Sequence, residues 1–173
     1  MGLFKKNEKG KKMITIEGYQ LSPHFNLDEM VRTSHRKYLY YNKKESIEYL
    51  DNLHDLCTQI LEPVRILLDS PIIINSGFRC KKLNKIIGGS KKSQHTVGEA
   101  ADIVFPFLNQ SLKEIYNKIA FSSIRYSQII YEFGQWIHIG LQDNNLYPDK
   151  MNQKLIAYRI KGKTVYTLIS EPI

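Results

Sequence analysis

The feature that most constrains this chain is the stretch Ser93-Gln94-His95-Thr96-Val97-Gly98-Glu99-Ala100-Ala101-Asp102. It sets an imidazole and a carboxylate seven positions apart, too far along the chain for neighbours on adjacent helical turns. For the two side chains to act together, the chain must turn and then extend. Gly98 and the small Ala100 and Ala101 permit that. Residues 90–97 therefore read as a loop carrying His95, and residues 100–104 as a strand carrying Asp102. Further on, Trp136-Ile137-His138 supplies a second imidazole on another strand. Two His nitrogens and one Asp oxygen are ligands of the kinds zinc prefers. Three protein ligands with an open fourth position mark a catalytic rather than a structural site. Spacing alone leaves a second reading open: a surface histidine, a strand-end aspartate and a hairpin histidine that never meet.

The strongest helical signal runs from Lys44 or Glu45 to about Leu68. Apolar residues recur at Ile47, Leu50, Leu53, Cys57, Ile60, Leu61, Val64, Leu67 and Leu68, the spacing of a core-facing stripe. Pro63 lies inside it, so a kink or break is expected near Leu61 and Glu62. Before it come a strand over 13–18, a short helix capped by Asn26 with Glu29 three residues on, and a loop over 34–44. After it come a strand over 71–75 and a short helix over 81–87 ending at Gly88-Gly89. A second amphipathic helix spans 111–120. Strands over 127–133 and 136–141 form a hairpin around Gly134-Gln135. A polar loop over 142–154 leads to a last hairpin, 155–160 and 163–169, turning at Lys161-Gly162.

At 173 residues the chain has the length of one domain, read as a basic flexible tail over 1–12 and a single domain over 13–173. Its 42% hydrophobic fraction fills one core, and no stretch is long and apolar enough to span a bilayer. The start, Met1-Gly2-Leu3-Phe4-Lys5-Lys6, is basic and lacks the apolar run of a secretory signal. The expectation is cytoplasmic synthesis, with release to a host cell wall or association with a virion. Net charge is +8, and residues 1–12 hold five lysines against Glu8, which is half of that excess. A basic chain attracts polyanions, among them nucleic acid and an anionic cell wall. No nucleic-acid motif with interleaved aromatics is present, so no specific nucleic-acid partner is expected. Cys57 and Cys80 make no disulfide framework. Cys57 reads as a small core residue and Cys80 as part of a polar turn. His54, alone on the long helix, is left out of the site.

Several motifs occur in order around these three residues: Ser76-Gly77-Phe78-Arg79, Leu83-Asn84, Gly88-Gly89-Ser90, Ser93-Gln94-His95, Gly98-Glu99-Ala100-Ala101-Asp102 and Trp136-Ile137-His138. In this order they resemble the zinc D-Ala-D-Ala carboxypeptidase family, and within it the branch that includes many phage cell-wall peptidases. Leu21-Ser22-Pro23-His24-Phe25 and Leu61-Glu62-Pro63-Val64-Arg65 resemble the lead-in of the same family. The resemblance covers about residues 20–141. It implies an α+β fold of the hedgehog/DD-peptidase type, a small antiparallel sheet with helices packed on one side. It implies Zn2+ held by His95, Asp102 and His138, and hydrolysis of peptidoglycan stem or cross-link peptides that contain a D-amino acid, in an endolysin-like setting.

A zinc hydrolase also needs a group to take a proton from the attacking water. Gln135 stands three residues before His138, where some relatives carry an acid, and glutamine cannot serve as a base. Glu132 lies six residues before His138. In a hairpin centred on Gln135 it sits directly opposite that histidine, so it takes the base role. Glu99 is read as pointing to solvent or to a cap. By the resemblance, Arg79 assists substrate binding and stabilises charge in the transition state, and Ser93 hydrogen-bonds substrate backbone. Trp136 is expected to pack beneath the site, and Gln94 to orient a ligand. The alternative is a non-catalytic, zinc-stabilised binding or virion structural domain of the same fold, with Glu132 a solvated strand residue. Whether the bond cut is terminal or internal, and the oligomeric state, are not legible in the sequence.

Overall fold

The computed structural model describes residues 4–6, 12–14, 17–142 and 151–173. β1 (Phe4–Lys6), in the expected tail, pairs antiparallel with β2 (Lys12–Ile14), which overlaps the start of the strand expected over 13–18, as a separate two-stranded ladder. Helix α1 (Leu27–Val31) begins at the Asn26 capping box: Glu29 N donates to Asn26 Oδ1 at 3.0 Å, and Asn26 N donates to Glu29 Oε1 at 2.7 Å.

The loop expected over 34–44 is instead helical. A short tight turn, Arg36–Tyr38, runs into α2 (Leu39–Glu45). Local propensity is weak here, and tertiary contacts decide. Asn42 is fully buried on α2. Its amide nitrogen donates to the carbonyls of Val31 and Phe78, and its oxygen accepts from Cys80 N. One side chain thus ties α1, α2 and the segment that carries Arg79.

The long helix is α3 (Leu50–Leu56) and α4 (Glu62–Leu68), joined by a π-helical turn at Cys57–Leu61. The expected break is therefore a widened turn. Pro63 has no N–H to give the preceding turn, and Glu62 N reaches back five residues to Cys57 O. A π-bulge absorbs this without ending the helix. Leu53, Leu56, Cys57, Ile60, Leu61 and Val64 are all buried on its core face.

The main sheet has six strands in the order β3 (Ile73–Ser76), β4 (Ala100–Val104), β6 (Trp136–Gly140), β5 (Gln128–Glu132), β7 (Gln153–Ile160), β8 (Lys163–Leu168). All neighbours are antiparallel except β5 and β7, which run parallel, so the sheet is mixed. Helices α5 (Lys81–Ile86) and α6 (Leu112–Ala120) complete the elements. The main core lies between the helices and one face of the sheet and takes in Ile103, Ile129, Ile137 and Ile139. The other face, where Asp102 and His138 stand, is thereby left to build a site. Much of the polar loop expected over 142–154 falls outside the described residues, and its end belongs to β7. Cys80 is buried rather than in a polar turn, and its Sγ accepts from Leu83 N at the start of α5.

Candidate active site

Register brings the ligands together. Asp102 on β4 stands opposite His138 on β6, and directly opposed residues share a face. His95 arrives from the short helical turn Gln94–Val97. Gly98 ends that turn at φ +76, close against Leu53 and Tyr49, and sends the chain into β4. His95 Nε2 lies 3.1 Å from His138 Nδ1 and 3.2 Å from Asp102 Oδ1. His138 Nδ1 lies 2.9 Å from the same oxygen. The three residues are buried, with relative exposures of 2, 5 and 6% for His95, Asp102 and His138. The reading in which they never meet is excluded.

The donor set fits a divalent metal on its own chemistry. His95 Nδ1 sits 2.8 Å from the Gly77 carbonyl. A carbonyl only accepts, so Nδ1 holds the proton and Nε2 turns its lone pair to the cluster. With His138 Nδ1 and Asp102 Oδ1, three candidate ligand atoms then converge on one point. Tetrahedral zinc with bonds of ~2.0–2.1 Å separates its ligand atoms by about 3.3 Å, close to the spacing observed here. The side-chain amide of Gln128 lies 3.2 Å from His138 Nε2 and steadies the far side of that ring.

Arg79 is held against the same ligands. Its Nη2 donates to Asp102 Oδ2 and lies 3.0 Å from His95 Nε2, while its Nε donates to Ser76 Oγ at 2.8 Å. Asp102 therefore offers Oδ1 to the cluster and Oδ2 to the guanidinium. Burial and the Arg79 charge drive the His95 imidazole down to about 4 despite the pull of Asp102, so it stays neutral and able to ligate at physiological pH. Burial alone raises the Asp102 carboxyl, but His95 and His138, packed against its oxygen, hold it well below the usual range.

Glu132 does not face His138 directly. Phe133 and Gly134 both adopt positive φ, of 54° and 69°, and centre the hairpin on Gly134. Glu132 then opposes Trp136, and Ile130 opposes His138. The shift is an even number of residues, so Glu132 keeps the His138 face as a diagonal neighbour. Such neighbours stand roughly 7–8 Å apart, within reach of a long side chain. Burial raises the Glu132 carboxyl above its ordinary range, against the pull of His138. Gln135 is exposed at the hairpin tip.

Arg79, Ser93, His95, Asp102, Glu132, Trp136 and His138 line one pocket of about 430 Å3. Trp136 forms a side of it, edge-on to Phe133 at 5.7 Å between ring centroids. Gln94 does not touch a ligand. It is buried against Ser127 Oγ at 3.1 Å and Leu141 O at 3.3 Å and locks the His95 loop to the sheet. Glu99 is buried rather than solvent-facing, with Asn52 Nδ2 at 3.4 Å. His54 is exposed beside Asp55, away from the site.

The pocket also takes Arg159, Thr164 and Tyr166 from β7 and β8. No sequence motif marked them. Their alternation in the last hairpin was legible, but its place beside β5 was not.

No curated protein matches the chain. A family model described as Peptidase M15 matches residues 23–140. The match spans the lead-in from Pro23 on, all three candidate ligand residues, Arg79 and Glu132. Having a His-Asp-His cluster that fits zinc on an α+β frame, the chain belongs to the peptidase M15 family of zinc D-Ala-D-Ala carboxypeptidases.

Proposed function

We propose that this protein hydrolyses an amide bond next to a D-amino acid in bacterial peptidoglycan peptides, in a phage-type lytic setting. The observation that carries the reading is the convergence of His95, Asp102 and His138 at the floor of a pocket whose wall holds Glu132. The net charge of +8 suits an anionic wall.

His95, Asp102 and His138 would hold a zinc ion, whose chemistry there would be Lewis-acid polarisation of the peptide carbonyl and acidification of the attacking water. The chain's own residues do the rest. Glu132, whose carboxyl burial raises above its ordinary range, takes a proton from the water and returns it to the leaving amine nitrogen. Arg79 fixes Asp102 by its second oxygen and keeps positive charge beside the carbonyl oxygen as it becomes negative. Ser93 at the rim offers a hydroxyl to substrate backbone. The buried, neutral His95 keeps its lone pair available as a ligand.

The test is digestion of purified peptidoglycan and defined muropeptides, with and without a chelator, followed by mass spectrometry of the products. Hydrolysis that disappears with the chelator and returns with zinc is expected. Loss of a single terminal residue marks a carboxypeptidase, and cleavage within the stem or bridge marks an endopeptidase. Glu132→Gln should abolish turnover, by 100-fold or more on the scale of lost general-base catalysis, roughly 10²–10⁴, with zinc content unchanged. Zinc bound without any hydrolysis by the unaltered protein points instead to a binding or virion structural domain.

A further inference from the structure

We infer that the β7–β8 hairpin, beyond the family-matched residues, is the carboxylate-binding wall of the pocket, with Arg159 as its anion-binding group. The inference rests on the peptidase reading of the same site.

The hairpin is built into the sheet. Five residues of β5, Gln128 to Glu132, pair in parallel with Gln153 to Ala157. Ile130, Leu155 and Ala157 form a small buried cluster on the site face, with Phe133 packed on it. The turn at Lys161 and Gly162, both at positive φ, returns β8 in register. Its backbone therefore holds a fixed register beside the candidate ligands.

That register sets a row across three strands: Glu132, Ala157, Tyr166. Ala157, small and buried with Phe133 packed on its cluster, stands between Glu132 and Tyr166 in that row. Arg159 is two residues beyond Ala157 on the same face, opposite Thr164. All of these but Ala157 line the pocket directly.

The two pocket arginines differ in what they already do. Arg79 is committed to Asp102, His95 and Ser76. Arg159 lies over the Phe133 ring, with its guanidinium carbon 5.3 Å from the centroid. Among the described residues, no carboxylate stands within ion-pair distance of it. Stacking restrains a guanidinium while leaving its edge N–H groups to donate, and a planar fork of donors matches a carboxylate. Tyr166 adds a phenol on the same side. A peptide lying over the ligand cluster would thus meet an unspent cation on its far side. The carboxylate can come from the peptide's own C-terminus or from an acidic residue within the stem.

The experiment uses the full chain and three forms of one stem peptide: with its carboxylates free, with only the C-terminus amidated, and with only the internal carboxylates amidated. For the unaltered protein, Arg159→Gln and Arg159→Lys, one measures kcat and KM on the zinc-loaded protein. One also measures equilibrium binding to the metal-free protein. Losing a charge-assisted hydrogen bond should raise KM and weaken binding about tenfold to a hundredfold in Arg159→Gln, with kcat within roughly threefold. Amidating the recognised carboxylate should cost the unaltered protein as much and the variant nothing further, and which amide does so identifies the source. Arg159→Lys should keep part of the preference. Thermal unfolding and zinc content like those of the unaltered protein show that the variants are folded. Unchanged KM and binding in Arg159→Gln overturn the inference, as does an equal loss on free and amidated peptides. If no peptide is cleaved by the unaltered protein, the peptidase reading fails, and the binding measurements still decide the role of Arg159.

Discussion

Glu62 shows how much one side chain organises outside the site. Its Oε1 accepts from Ser22 Oγ at 2.7 Å and from His24 N at 2.9 Å, and its Oε2 lies 2.8 Å from His24 Nδ1. The two lead-in motifs, forty residues apart in sequence, thus meet at one carboxylate. Burial alone raises that carboxyl, but the hydrogen bonds from Ser22 and His24 outweigh it and hold it below its usual range. A depressed carboxylate contributes stability that is present above the unfolded value and lost as pH falls through the folded one. Glu62→Gln should therefore cost about 1–2 kcal/mol at pH 7. The gap from the unaltered protein should close below the ordinary glutamate range of about 4.3. Urea unfolding of both proteins at pH 7 and pH 3 checks this, and a gap that does not shrink at all between the two contradicts it.

At the scale of elements, the segment between β3 and α5 decides the geometry of the ligands. A β-carbon on Gly77 would lie 2.5 Å from Met30 O and 3.0 Å from Met30 Cα, a backbone collision that no rotamer relieves. The close approach lets Phe78 N donate to Met30 O at 2.7 Å and turns the Gly77 carbonyl to His95. Gly77→Ala should destabilise the fold by about 1–3 kcal/mol, as overpacking does. It should also weaken zinc binding about tenfold, the lower end for a lost partner of a ligating histidine. Denaturant unfolding and a competitive metal titration read the two effects separately. Normal zinc affinity in a destabilised variant would show that Gly77 matters for packing alone.

At the scale of the molecule, a metal held by the buried cluster would be coupled to folding. His95, Asp102 and His138 come from a loop and two strands, so the unfolded chain has no such site. Zinc at 100 times its dissociation constant should stabilise the fold by about 2.7 kcal/mol. For a domain of this size that is a rise in Tm of roughly 5–10 °C. A chelator should reverse it, and Asp102→Ala should abolish it. Differential scanning calorimetry measures all three, and a Tm indifferent to zinc would argue against the cluster as a metal site.

The sequence by itself pointed to His95, Asp102 and His138 as candidate ligands, and to the capping box at Asn26, the six strands of the main sheet and most of the helices, because these depend on local spacing and on which atoms a metal accepts. It also carried the family, through motifs that recur in order. Tertiary structure decided the rest. The helix at Leu39–Glu45 forms because Asn42 finds partners on two distant segments, and no local signal encodes them. The break at Pro63 became a π-turn because the apolar stripe is buried on both sides of it. Glu132 moved from opposite His138 to a diagonal place because positive φ at Phe133 and Gly134 shifted the hairpin centre. Its face survived because strands alternate with period two. The wall formed by Arg159 and Tyr166 exists because β7 runs parallel to β5, a long-range pairing that side-chain alternation along the chain does not specify.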